Sequence, residues 1–216
     1  MWHASQVSAG KLALLVGAVA LVVVLVLGVS QATKETAAPP KATTLTAGEI
    51  RQRLGGAPPA LAALHSQANE ILPGARKGLR TRLAALRGHP AVVNIWAAWC
   101  GPCRAEMPVM QRVSLDMGKQ VAFVGVDLKD NRQAAAGFLK KIPVTYPSYD
   151  DPSGQVYNAE KLVGVPSTLF YDASGKQTFV HQGPYFDRAG RQTFVHQGPY
   201  FKRADLVDGI RRYALQ

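Results

Sequence analysis

The two cysteines of this chain, Cys100 and Cys103, stand in the segment Cys-Gly-Pro-Cys, and the sequence holds no third. A disulfide framework that staples a small fold needs several bridges closing longer loops. This chain therefore has to fold on a hydrophobic core. Two thiols supply at best half of a zinc site. The common use that remains is reversible redox chemistry. Composition allows the core: of 216 residues, 47% are hydrophobic and 18% charged, which is not the balance of a disordered chain. A formal net charge of +11 suits anionic partners but says nothing about fold. With no block of consecutive Lys/Arg and no recognisable motif, nucleic-acid binding is not expected.

Leu12–Val29 is an uncharged apolar run, just long enough for a membrane-spanning helix. The expected organisation is a cytoplasmic N-terminus over 1–11, a single-pass transmembrane anchor over 12–30 and a flexible linker over 31–46. A folded domain fills 47–216. Lys11 before the run weakly favours a cytoplasmic N-terminus. Cleavage as a signal peptide is the rival, since Ser30 and Ala32 are small. Either way the domain lies outside the cytoplasm, in a periplasmic or extracellular space. The linker, with Pro39 and Pro40, is semi-extended.

Within the domain, Ala47–Leu54 and Pro59–Leu72 read as helices, the second with Leu61, Leu64 and Ile71 on one face. Leu79–Leu86 reads as a further helix. Arg51, Arg53, Arg76, Lys77, Arg80, Arg82 and Arg87 cluster in this region, as a solvated face or as a contact for anionic lipid or an acidic partner. Then elements alternate: strand Ala91–Trp96, helix Pro102–Met117, strand Gln120–Val126, helix Arg132–Lys140, turn Asp151–Gly154 and helix Val156–Leu162. Strands Thr168–Tyr171 and Gln177–Gln182 and a helix Ala204–Leu215 follow. This order predicts an α/β fold, a mixed β-sheet flanked by helices, with the last two strands antiparallel.

Cys100 falls where a buried strand gives way to a helix. Unpaired N–H groups and the dipole at a helix N-terminus favour a thiolate, the form that attacks disulfides. Cys103, one turn on, is placed to resolve the mixed disulfide. Pro102 suits the first helical turn, and Gly101 permits close approach of a substrate backbone. Trp99 is expected on an exposed apolar rim and Trp96 in the core.

The segment Trp-Ala-Ala-Trp-Cys-Gly-Pro-Cys-Arg-Ala-Glu-Met-Pro resembles the active-site segment of thioredoxin-like, membrane-tethered thiol–disulfide oxidoreductases of the TlpA/ResA type, from about Leu86 onward. The resemblance implies a thioredoxin-like fold and a redox-active Cys100–Cys103 disulfide with no other cofactor. It implies a cis-proline at Pro166 that presents the Val165 backbone to a substrate strand. It also implies a proton-handling role for Glu106. Asn94 stands where thioredoxin has a buried aspartate, so acid–base duty shifts to Glu106 or water. Pro108 matches the family's helix-kinking proline.

Gln177–Phe186 recurs unchanged at Gln192–Phe201, within a duplicated strand–turn unit over 171–201. The second copy is expected either as an added edge hairpin or as a loop. Duplication alone explains the pairing of His181 with His196, and no metal site is expected. The function expected is a protein-disulfide reductase in the cell membrane, and the resemblance to the TlpA/ResA type implies a membrane thiol electron donor and disulfide-containing protein clients such as apocytochrome c. The alternatives are a disulfide oxidase or isomerase and a thioredoxin-fold copper metallochaperone.

Overall fold

The computed structural model describes residues 44–182 and 203–216. The expected anchor, most of the linker and the second repeat copy lie outside the described residues. Among the described residues no helix is long and apolar enough to cross a membrane.

The first helix, α1 (Ala47–Leu54), opens on a reciprocal cap: Glu49 N–H donates to the Thr46 hydroxyl, and the Glu49 carboxylate accepts from Thr46 N–H at 2.7 Å. Such a capping box satisfies two otherwise orphaned groups. Helix α2 covers only Pro59–His65, not the expected run to Leu72. The reason is a tether. Asn69, with φ at +65°, donates its N–H to Tyr146 O, and its side-chain oxygen accepts from Val144 N–H at 2.6 Å. The chain is thereby drawn to the sheet edge, where Ile71–Leu72 forms β1, parallel to Ser148–Tyr149. Ile71 is a strand residue, not part of a helical stripe.

The remaining elements are α3 (Ala75–Ala85), β2 (Ala91–Trp96), α4 (Gly101–Met117), β3 (Ala122–Leu128), α5 (Arg132–Lys141), β4 (Ser148–Asp151), α6 (Gln155–Ala159), β5 (Ser167–Tyr171), β6 (Gln177–Gln182) and α7 (Arg203–Gly209), which runs into a π-helical turn, Ile210–Ala214. The sheet has six strands in the order β1-β4-β3-β2-β5-β6. The four strands β1 to β4 are mutually parallel, while β5 runs antiparallel to β2 and β6 antiparallel to β5. The result is the mixed sheet flanked by helices that the alternation predicted, in the thioredoxin-like order.

Side chains alternate across the sheet. Val92 and Trp96 pack in one core with Cys103, Met107, Phe123, Leu206 and Ile210. Ala91, Val93 and Ile95 pack in the other with Leu61, Leu64, Leu79 and Leu86. Helices α4, α5 and α7 thus cover one face of the sheet; α2, α3 and α6 cover the other. The first six residues of the first repeat copy, Gln177–Gln182, form β6. Its Phe179 ring stacks on Tyr213 at 4.0 Å, tying β6 to the C-terminal helix.

Candidate active site

Strand β2 ends at Trp96, which is fully buried as expected and donates its indole N–H to Ser148 Oγ at 3.0 Å. The chain then turns through Ala97–Trp99 into α4. Three contacts hold this loop. Ala98 N–H donates to the Asp130 carboxylate, Arg104 donates to Ala98 O at 2.9 Å, and the Trp99 indole donates to Lys129 O at 3.2 Å. Lys129 presents that carbonyl from a left-handed backbone, φ +45°, a conformation that costs a non-glycine residue about 1–2 kcal/mol. Trp99 itself is 56% exposed, a large apolar ring in water beside the cysteines.

Cys100 is the N-cap of α4, and its sulfur accepts from Cys103 N–H at 3.1 Å. A sulfur in the capping position receives the orphan N–H groups and the positive end of the dipole, both of which favour the thiolate. Cys100 and Cys103 are joined as a disulfide, and both are buried. Gly101 and Pro102 are exposed above them. A Cβ built on Gly101 would meet nothing within 4 Å, so the space beside Gly101 is open.

Opposite Cys100 lies the loop leading into β5. The Val165–Pro166 bond is cis, and Val165 O stands 3.7 Å from the Cys100 sulfur. The disulfide sulfur carries no proton, so this is a contact and not a hydrogen bond. Two contacts fix the loop: Ser167 Oγ donates to Gly164 O at 2.6 Å, and Val163 N–H donates to Gln182 Oε1 at 2.7 Å. Gln182 belongs to the first repeat copy. The repeat, distant from the cysteines in sequence, therefore reaches the loop beside them.

Glu106 is buried one turn beyond Cys103, and its carboxylate accepts from Asn94 Nδ2 at 2.9 Å. Asn94 is thus a positioner of Glu106. Near them Tyr146 is fully buried, which pushes its hydroxyl pKa upward, and the Glu106 carboxylate adds to the effect.

Sequence reasoning missed Asp127 and Asp130. Asp127 is the penultimate residue of β3, opposite Trp96 in the register and next to Asp150 of β4. It shares the sheet face of Phe123 and Trp96, under the loop that carries the cysteines. It is fully buried, and neither carboxyl oxygen has a hydrogen-bond partner. Burial, then the neighbouring carboxylates of Asp130 and Asp150, push its pKa up to about 8. A sequence signal existed: acidic residues immediately after a strand that neighbours the motif strand. Among the described residues no group of three His, Cys, Asp or Glu side chains is placed to hold a metal. His181 is buried on β6, and His196 lies outside the described residues.

The Cys100–Cys103 disulfide thus stands at the head of α4 and faces the cis-proline loop. The AhpC/TSA family model matches residues 66–180, just over half of the chain. The chain belongs to the AhpC/TSA family. It is similar to the thiol-disulfide oxidoreductase ResA of Oceanobacillus iheyensis, with 33% identity over 103 residues, covering 47% of this chain and 54% of that protein. The thiol:disulfide interchange protein DsbE of Pseudomonas fluorescens biotype C is 38% identical over 93 residues, covering 43% and 51%. The soluble secreted antigen MPT53 of Mycobacterium tuberculosis is 32% identical over 98 residues, covering 45% and 56%. The chain spans about half the length of these curated relatives.

Proposed function

We propose that this chain is a thiol–disulfide oxidoreductase, anchored in the membrane through Leu12–Val29, that reduces disulfides in client proteins outside the cytoplasm. The observation that carries the reading is the Cys100 sulfur. It caps α4, receives the Cys103 N–H and faces Val165 O on the neighbouring loop. The relatives named oxidoreductase and interchange protein support the chemistry, and the one named as secreted supports the compartment.

In the reduced protein the Cys100 thiolate attacks one sulfur of a client disulfide. A Cys100–client bond forms, the client's S–S bond breaks, and the other client sulfur leaves as a thiolate that takes up a proton. Cys103, deprotonated, then attacks Cys100 Sγ. The Cys100–Cys103 bond forms and the second client thiol departs. Two electrons have passed to the client, and the protein is in the disulfide state described above. Glu106, held by Asn94, handles the proton that Cys103 must lose. Trp99, Gly101, Pro102, Val165 and Pro166 form the client-facing surface, with the client strand laid against the Val165 backbone. A membrane thiol carrier returns the pair to the dithiol. Apocytochrome c is a candidate client.

The direction of electron flow is tested by the reduction potential of the Cys100/Cys103 couple. A value near that of thioredoxin, about −270 mV, supports the reductase; one near about −120 mV, a strong oxidant's, overturns it in favour of disulfide formation.

A further inference from the structure

Of the basic residues clustered in the first half of the domain, the fold employs some and leaves others. Arg53 pairs with Asp116 at 3.3 Å. Arg82 donates to the Tyr149 hydroxyl and to Gln67. Arg76, Lys77 and Arg80 of α3, and Arg87 just beyond it, are exposed. Among the described residues none of these four makes an ion pair, whereas Arg132, Arg203 and Arg212 each pair with an aspartate.

The arrangement is locally unfavourable. The first turn of α3 has no acidic residue, and its N-cap Gly74 makes no side-chain capping bond. Arg76 and Lys77 therefore sit at the positive end of the helix dipole, where cations destabilise a helix. Arg76 and Arg80 are like charges four residues apart, and Lys77 and Arg80 three apart, spacings at which they repel across one face. Among the described residues no carboxylate pairs with these cations. The inner face of α3, through Ala75 and Leu79, packs into the sheet, so the helix forms by burial and presents its cations outward. Together with Gln155 of α6, Arg76, Lys77 and Arg80 line a shallow cleft of about 430 Å³ that contains no acidic side chain.

We propose that the outer face of α3, with Arg76, Lys77 and Arg80, together with the exposed Arg87 just beyond the helix, is a docking surface for an anionic phospholipid bilayer. This rests on the reading of Leu12–Val29 as a membrane anchor. Residues 31–46 then keep the domain within roughly 50 Å of the bilayer, at about 3 Å per extended residue. At that range a weak attraction suffices, because tethering makes the encounter intramolecular. Basic side chains clustered on one surface are what an anionic leaflet attracts, and salt screens the attraction. The choice of lipid over an acidic protein follows from the same chain carrying the apolar run. Helix α3 covers the opposite face of the sheet from α4, the helix that carries Cys103 and Glu106. A domain docked through α3 thus keeps its disulfide helix on the far side from the lipid.

The full chain, reconstituted in nanodiscs of neutral phosphatidylcholine or of phosphatidylcholine with phosphatidylglycerol, would be labelled with an amine-reactive reagent and read by mass spectrometry. Lys77 is the reporter; the exposed Lys119 and Lys140, beside α4 and on α5, are internal controls. Labelling of Lys77 is expected to slow at least threefold in anionic discs only, to recover at high salt, and to lose this protection in R76E/R80E/R87E. Equal labelling of Lys77 in both lipids overturns the proposal, and is also the outcome if the surface serves an acidic protein. Protection that persists in the triple variant overturns it too. Association with neutral discs reports the apolar run separately. A chain that binds only anionic discs would sink the anchor while leaving α3 as the docking face.

Discussion

Asp127 is a carboxyl buried beside two other carboxyls, an environment far from water. In the unfolded chain its carboxyl ionises near 3.8, the ordinary value for an aspartate; in the fold burial pushes the pKa up to about 8. Between those values the native state holds a proton that the unfolded state has lost. Raising the pH through that window therefore favours unfolding, by roughly 1.4 kcal/mol per pH unit from this group, and the effect levels off above about pH 8. Asp127→Asn keeps the shape and removes the titration. Its urea-unfolding stability is expected to fall less steeply between about pH 5 and pH 8 than that of the wild type. Identical pH profiles would contradict this. At Glu106 the expectation concerns rate. Glu106→Gln retains an acceptor for Asn94 but cannot take a proton. Stopped-flow reduction of insulin by the reduced protein is expected to slow by at least about tenfold, with an altered pH profile. An unchanged rate and profile would leave Glu106 a structural residue.

At the scale of elements, β3 and β4 leave no room for a side chain at Gly125. A Cβ on Gly125 would fall 2.0 Å from Ser148 Oγ and 3.0 Å from the Trp96 indole nitrogen, in the middle of the bond that seats Trp96. Gly125→Ala is expected to destabilise the domain by about 1–3 kcal/mol, seen as a lower urea midpoint with an unchanged slope. An unshifted midpoint would show that the pair yields without cost. The same two strands show where the sequence was legible. Strands β2, β3 and β5 are runs of apolar residues and were readable as buried strands. Strand β1 is two residues long, and β4 reads Ser-Tyr-Asp-Asp, so neither carries a hydrophobic pattern. Ile71 was absorbed into a helical stripe because its true partner, Ser148, is far along the chain. The active site divides the same way. Cys100, Cys103 and the turn into α4 form one local segment, and the loop at Pro166 carried its own signal. Asp130, Gln182 and the Asn94–Glu106 bond come together only through strand order, which local periodicity does not encode.

For the whole molecule, the described sheet employs one copy of the repeated segment, as β6, and the chain resumes in α7. Removing residues 187–201 would join Phe186 to Lys202, reproducing the natural Phe201–Lys202 junction. The shortened chain is expected to melt within a few degrees of the parent and to keep its exchange activity. Loss of cooperative unfolding would show that the second copy is integral to the fold. The central claim is that Cys100 attacks and Cys103 resolves. Its most direct test is trapping with Cys103→Ser expressed in cells. Mixed disulfides between Cys100 and client proteins should accumulate, be released by dithiothreitol, and be absent from Cys100→Ser. If Cys103→Ser forms no such adducts, the exchange mechanism proposed for this pair is contradicted.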